Sequence, residues 1–173
     1  ADPRLYVGTL QPYVDSLQID NVWRKVGKNR GEGFDLTQNK AWCHRKFVVL
    51  TRSIWADPGP SINANVYFMR LADVYLIYAE ALMMTGDNAQ ALEYLNKVKR
   101  RAYGLPVDGL SAIDYASLTD QTAAGPGDHL ANEPLKYERW AELFGEGQWW
   151  FDVRRWKIGD KEAAFYGNVK SGN

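Results

Sequence analysis

Between Val66 and Thr85, apolar residues fall at Leu71, Val74, Tyr75, Tyr78 and Leu82, a three-and-four spacing that puts them on one face of a helix. Leu76, Ile77, Ala79, Ala81 and Met83 widen that stripe, so the helix is expected to be buried on more than one side. Gly86 can close the helix in the left-handed conformation, and Asp87-Asn88-Ala89-Gln90 reads as a capping box for the next one. This second helix, from about Asn88 to Tyr103, would bury Ala91, Leu92, Leu95 and Val98 and stop at Gly104, with Pro106 beyond. Its Lys97, Lys99, Arg100 and Arg101 sit at the negative end of the helix dipole, which makes them a solvated face in preference to a binding patch. The pattern therefore predicts a helical hairpin over residues 66–104, turning at Gly86.

Other stretches are less periodic. Residues 1–65 scatter Gly, Pro, Asn and Asp among short apolar runs such as Phe47 to Leu50, as expected for loops with one or two short strands. Residues 105–131 form a long connection with Gly109, Gly125, Pro126 and Gly127, and a short helix is expected near Ala112 to Leu118. In residues 132–158, Asn132-Glu133-Pro134 starts a third helix with Tyr137, Trp140, Ala141 and Phe144 as its apolar seam. Gly145 and Gly147 should break it before a further helical turn through Trp156, and residues 159–173 read as an irregular tail. The fold class is mainly α: a tetratricopeptide-like helical hairpin and further helices, with a loop-rich first third. Ala79, Ala81, Gly86, Ala91 and Leu95 approximate the packing positions of one tetratricopeptide repeat, and one copy is found. Such repeats need about three neighbours to bury a continuous core. The 173 residues thus read as a fragment of a larger α-α superhelical protein.

Composition narrows the function classes. Lys plus Arg equals Asp plus Glu at 21 each, so no basic field is present to hold nucleic acid or an anionic membrane surface. No apolar run approaches the length of a membrane-spanning helix. Cys43 is the single cysteine and its neighbour His44 is far in sequence from His129, so neither a disulfide nor a metal site is expected, and no cofactor. Aromatic residues make up 13% of the chain and seven of them are Trp, which is the one compositional pointer to ligand stacking.

The densest aromatic stretch is Tyr137 to Trp156, YERWAELFGEGQWWFDVRRW, in which bulky rings alternate with Glu138, Arg139, Glu142, Glu146, Asp152, Arg154 and Arg155. It resembles the closing motif of the SusD/RagB family of outer-membrane nutrient-binding lipoproteins, E-R-R-x-E-L-x-x-E-G-x-R-W-x-D-L-x-R-W. Glu138, Arg139, Glu142, Leu143, Glu146, Gly147, Trp150, Asp152, Arg155 and Trp156 fall on that pattern, while Trp140 and Trp149 stand where Arg is usual. Met69 to Ala81 is similar to the family's R-Y-A-D-V-L-L-x-Y-A-E-A, and Asp2-Pro3-Arg4 to its D-P-R segment. The resemblance implies the C-terminal portion of a longer protein. It also implies capture of an oligosaccharide or other nutrient at the bacterial surface for a TonB-dependent, SusC-like transporter. The membrane would be reached only through a lipid anchor outside this chain. Ala1 to Leu10 has no basic region followed by an apolar run, so an export signal is expected elsewhere.

Glu138, Glu142 and Glu146 lie four apart on one helix face, and paired carboxylates are what a glycosidase uses. A catalytic pair must oppose across a cleft, however, and stacked glutamates more often pair with Arg or Lys. Asp152 with Arg154 and Arg155 reads in the same way, as structural ion pairs. No nucleophile, phosphate-loop or dinucleotide signature is present, and the expectation is a binding protein and not an enzyme. The two rival readings are a tetratricopeptide-type protein-binding adaptor and a helical glycoside hydrolase. The weak candidates for sugar contact are Trp23, Trp42 and Trp55, which lie among polar residues in the first third. Trp and Phe between Trp140 and Trp156 are expected in the core, with Tyr137 and Trp156 buried and holding the last helical segment to the hairpin.

Overall fold

The computed structural model describes residues 2–11, 14–19, 21–26, 43–46 and 67–170. The chain divides into two compact units, residues 4–67 and a helical unit made of residues 1–3 and 68–173. The Phe47 to Leu50 run, Trp42 and Trp55 lie outside the described residues.

The helical unit is built on α2 (Leu71–Thr85) and α3 (Asn88–Ala102). Although the apolar spacing begins near Val66, the helix starts at Leu71 because Arg70 is extended and its side chain is engaged elsewhere. Gly86 closes α2 with φ 89°, and its N–H and that of Asp87 satisfy the last carbonyls. Asp87 then caps α3 by accepting from the Gln90 N–H at 3.2 Å, while the Gln90 side-chain amide donates back to the Asp87 carboxylate at 2.8 Å. With so short a turn α3 folds back on α2, and Ala72, Leu76 and Ala79 meet Leu95 and Val98 in the core. Tyr94 sits edge-on to both Tyr75 and Tyr78, with ring centroids 5.3 and 4.8 Å apart. Tyr115 and Leu135 complete that core from the connection and from α4 (Pro134–Glu142).

Three expectations are corrected here. Residues 112–118 form turns, not a helix, because side chains take the backbone groups a helical ladder would need. The buried Asn96 carboxamide brackets Tyr115, donating to its carbonyl at 3.0 Å and accepting its N–H at 2.8 Å. Asp120 accepts from the Ala116 and Ser117 N–H groups and from the Ser117 hydroxyl. Second, the region after Gly159 is not irregular: α6 spans Gly159–Lys170, with Asp160 and Glu162 favourably placed in its first turn. Glu162 ties it down through the Trp149 indole at 3.1 Å and His129 at 2.5 Å. Third, Arg100 is no part of a solvated basic face. It is fully buried, donating to Asp114, to Glu93 and to the Val107 carbonyl, and so it fastens the connection onto α3.

α4 ends at Leu143, and after the positive-φ residues Gly145 and Gly147 the chain resumes as α5 (Trp149–Trp156). Tyr137 is buried with Leu130 and Ala141, against Trp140 and Trp149, and its hydroxyl donates to Asp2 at 2.9 Å. Its cluster is separate from the hairpin core, and its hydroxyl anchors the start of the chain. Trp156 is half-buried, and its indole reaches the hairpin at Glu80, 2.8 Å away. Trp150 and Phe151 depart from the expected core position: they are 63% and 66% exposed, on the face of α5 opposite Asp152 and Val153.

Among its described residues, the unit of residues 4–67 contains a short helix α1 (Arg4–Gly8), which the sequence pattern does not predict, and two small antiparallel ribbons. In one, β1 (Thr9–Leu10) pairs with β4 (Cys43–His44). The other joins β2 (Ser16–Ile19) to β3 (Val22–Lys25), with Leu17 and Val26 buried.

Candidate functional site

Within β2–β3, only Asp20 and Asn21 separate the strands, and Asn21 takes φ 63°, a left-handed value that Asn tolerates better than most residues. The register pairs Ser16 with Lys25 and Gln18 with Trp23. Directly opposed residues share a face of a ribbon, as do alternate residues along a strand, so these four lie together. All four are exposed, and Trp23 retains 69% of its surface. Gln18 reaches the Asn21 carbonyl with its amide at 3.5 Å. Of the three candidate tryptophans, Trp23 is thus displayed with a polar surround.

In the helical unit a cavity of about 240 Å³ opens between the start of α2 and the end of α3, with Leu71, Ala72, Tyr75 and Val98 among its walls. Its cationic rim is already engaged. Lys97 pairs with Asp108, Arg101 with Glu142, and Arg70 with two glutamates. Among the described residues no group of His, Cys, Asp and Glu could hold a metal ion, and no helix is long and apolar enough to cross a membrane.

The motif carboxylates converge on guanidinium groups. Arg70 donates Nε and Nη2 to Glu146 at 2.9 Å each, Nη1 to Glu142 at 2.6 Å and Nη2 to the Glu142 carbonyl at 2.5 Å. Burial opposes the Arg70 charge, but the hydrogen bonds it donates to Glu146 and Glu142 outweigh it and hold the guanidinium above its ordinary pKa. Arg139 joins Asp73 on α2 at 2.9 Å to Asp152 on α5 at 2.7 Å, all three buried. Asp152 also accepts from Arg155 at 2.8 Å, and Arg155 reaches on to Glu80. Burial would raise the Glu80 pKa, yet the bonds from Arg155 and Trp156 win and hold it below the usual carboxylate range. Glu138 accepts from the Tyr115 hydroxyl at 2.9 Å. Arg154 lies over the Trp150 ring, 5.8 Å from its centroid. The glutamates spaced four apart are thus divided: Glu142 and Glu146 share Arg70, while Glu138 faces the connection.

Met69–Ala81 and Tyr137–Trp156, separate in sequence, are therefore joined by two sets of ion pairs, one on Arg70 and one on Arg139 and Arg155. Among known proteins, a family model described as the SusD family matches residues 1–172, and the chain belongs to that family. SusD-like protein P38 of Formosa agariphila is 34% identical over 97 residues, covering 56% of this chain and 18% of that protein. SusD-like protein P25 of the same organism is 34% identical over 110 residues, covering 61% of this chain and 19% of that one. The chain spans about a fifth of the length of these curated relatives. No solved structure matches.

Sequence reasoning singled out Trp23, with Arg24 and Lys25 as its polar neighbours, but not Ser16 and Gln18. The signal was present: an Asp-Asn pair between two short strands sets a two-residue turn, and a period of two then assigns the faces. Tyr115 and Arg100 carried no such signal, since their partners are fixed only by tertiary folding.

Proposed function

We propose that this chain is the C-terminal portion of a SusD-like protein that binds an oligosaccharide or other nutrient at the bacterial outer-membrane surface. The bound nutrient would pass, uncleaved, to a TonB-dependent, SusC-like transporter. The protein itself would be held at the surface by a lipid anchor outside these residues. The observation that carries this reading is the family match across residues 1–172. The geometry agrees with it: Glu142 and Glu146 are clamped by Arg70, and Asp152 by Arg139 and Arg155, which supports a structural role for the carboxylates. The helical unit is the scaffold in this reading, akin to a tetratricopeptide stack, and sugar contact within the chain comes from Trp23, with Trp42 and Trp55 as further candidates.

Calorimetry on the full-length protein with a panel of oligosaccharides tests the proposal. Binding without product release is expected, with affinity lowered in the Trp→Ala variants at 23, 42 and 55 and kept in Glu142→Gln. Product release, or affinity lost only in Glu142→Gln, would place the chemistry on α4 and overturn it.

A further inference from the structure

We infer that the exposed face of the β2–β3 ribbon is a platform for an anionic sugar residue, one bearing a carboxylate or a sulfate ester. This deepens the carbohydrate reading above and rests on it.

Ser16, Gln18, Trp23 and Lys25 share that face, fixed by the pairs Ser16↔Lys25 and Gln18↔Trp23, while Leu17 on the other face is buried. The indole supplies a flat apolar area for the C–H face of a pyranose. Beside it, the Gln18 carboxamide keeps an acceptor oxygen and a second N–H for ring hydroxyls, and the Ser16 hydroxyl adds another donor and acceptor. Lys25 stands two residues along the strand from Trp23, roughly 7 Å away, about the reach from a stacked ring to a charged substituent on that ring or the next. None of the four is acidic, so the face carries one positive charge. A neutral sugar would leave that ammonium to water, whereas a carboxylate or sulfate would meet it.

Magnitudes set what each part contributes. Stacking on an exposed indole corresponds to roughly tenfold in affinity. A solvent-exposed ammonium–anion pair corresponds to about threefold and is screened by salt. Trp23 should therefore determine whether sugar binds, and Lys25 which sugar is preferred.

The experiment uses full-length protein, calorimetry and tryptophan fluorescence, with three probes of equal length: a neutral gluco-oligosaccharide, an oligogalacturonate and a sulfated galacto-oligosaccharide. At low salt at least one anionic probe should bind about threefold tighter than the neutral one, and the advantage should vanish near about 1 M salt. Whichever probe shows it identifies the anion as carboxylate or sulfate. Lys25→Gln should abolish that preference and leave the neutral probe unaffected. Trp23→Ala should weaken all binding roughly tenfold, and Trp23→Phe, which keeps a ring, should restore most of it. Because Trp23 is exposed, an unchanged melting temperature confirms that its variants are folded. Equal affinity for neutral and anionic probes, or a preference that survives Lys25→Gln, would overturn the anionic assignment while leaving the carbohydrate reading intact. Unchanged affinity in Trp23→Ala would move the contact off this ribbon. Failure of every probe to bind would defeat both.

Discussion

Arg139 holds two buried carboxylates at once, Asp73 from the hairpin and Asp152 from α5. Replacing it with Met would strand both in the interior, since removing one partner of a buried pair leaves uncompensated charge. Arg139→Met should therefore cost about 3–5 kcal/mol in denaturant unfolding. Arg139→Lys should rescue little, because an ammonium lacks the planar fork that spans both partners. Asp114 makes a different prediction. Its hydrogen bond from Arg100, helped by the Ser111 N–H, holds its pKa below the ordinary value. A depressed folded pKa means that the stabilisation is fully present above the unfolded pKa of about 4 and is lost as pH falls through the folded value. Asp114→Asn should thus flatten the fall in stability below about pH 4, measured as denaturation midpoint against pH, and leave the slope near neutrality unchanged.

α2 and α3 were legible in the sequence because a sustained three-and-four spacing, a left-handed closing residue and a capping box all point to the same boundaries. Gly86 is the sharpest test of that logic. A Cβ there would meet nothing within 4 Å, so a substitution acts through backbone conformation alone. Gly86→Ala should cost about 1–2 kcal/mol, read as a lowered unfolding midpoint with no change in helicity. Elements set by distant partners were not legible. The stretch expected to be helical near Ala112 to Leu118 is claimed by Asn96 and Asp120. α6 was obscured by Gly159 and Gly167, and Glu162, between His129 and Trp149, ties it to distant parts of the chain. Trp150 and Phe151 read as core from their bulk, but the face of α5 that meets the ion-pair network is the one bearing Asp152.

Across the whole molecule, two sets of ion pairs join α2 to α4 and its exit and to α5, so the residues that carry the family resemblance are the ones that fix how these helices meet. α2 still presents Leu71, Val74, Ile77 and Tyr78 to solvent, in keeping with a chain that spans about a fifth of its relatives. The candidate site was only partly readable, since Trp23 and the adjacent Lys25 stand out by residue type whereas Ser16 and Gln18, across the ribbon, emerge only from the strand register.

Asp2 is tied to Tyr137, and Arg70 to Glu142 and Glu146, so the polypeptide leaves the helical unit and re-enters it at two points along α4 and its exit. Tyr137 and Glu142 are five residues apart on one helix, a rise of roughly 7–8 Å. Both flanks of residues 4–67, at Asp2 and at Arg70, are thus held within the helical unit. Replacing residues 4–67 with a short Gly-Ser linker should leave the helical unit folded, with near-native helicity and a cooperative melt, in a full-length background. Loss of that melt would show that the replaced segment is needed to hold the frame. A clasp of this kind makes the intervening segment exchangeable: relatives could lengthen, shorten or replace it while inheriting the same two anchor points.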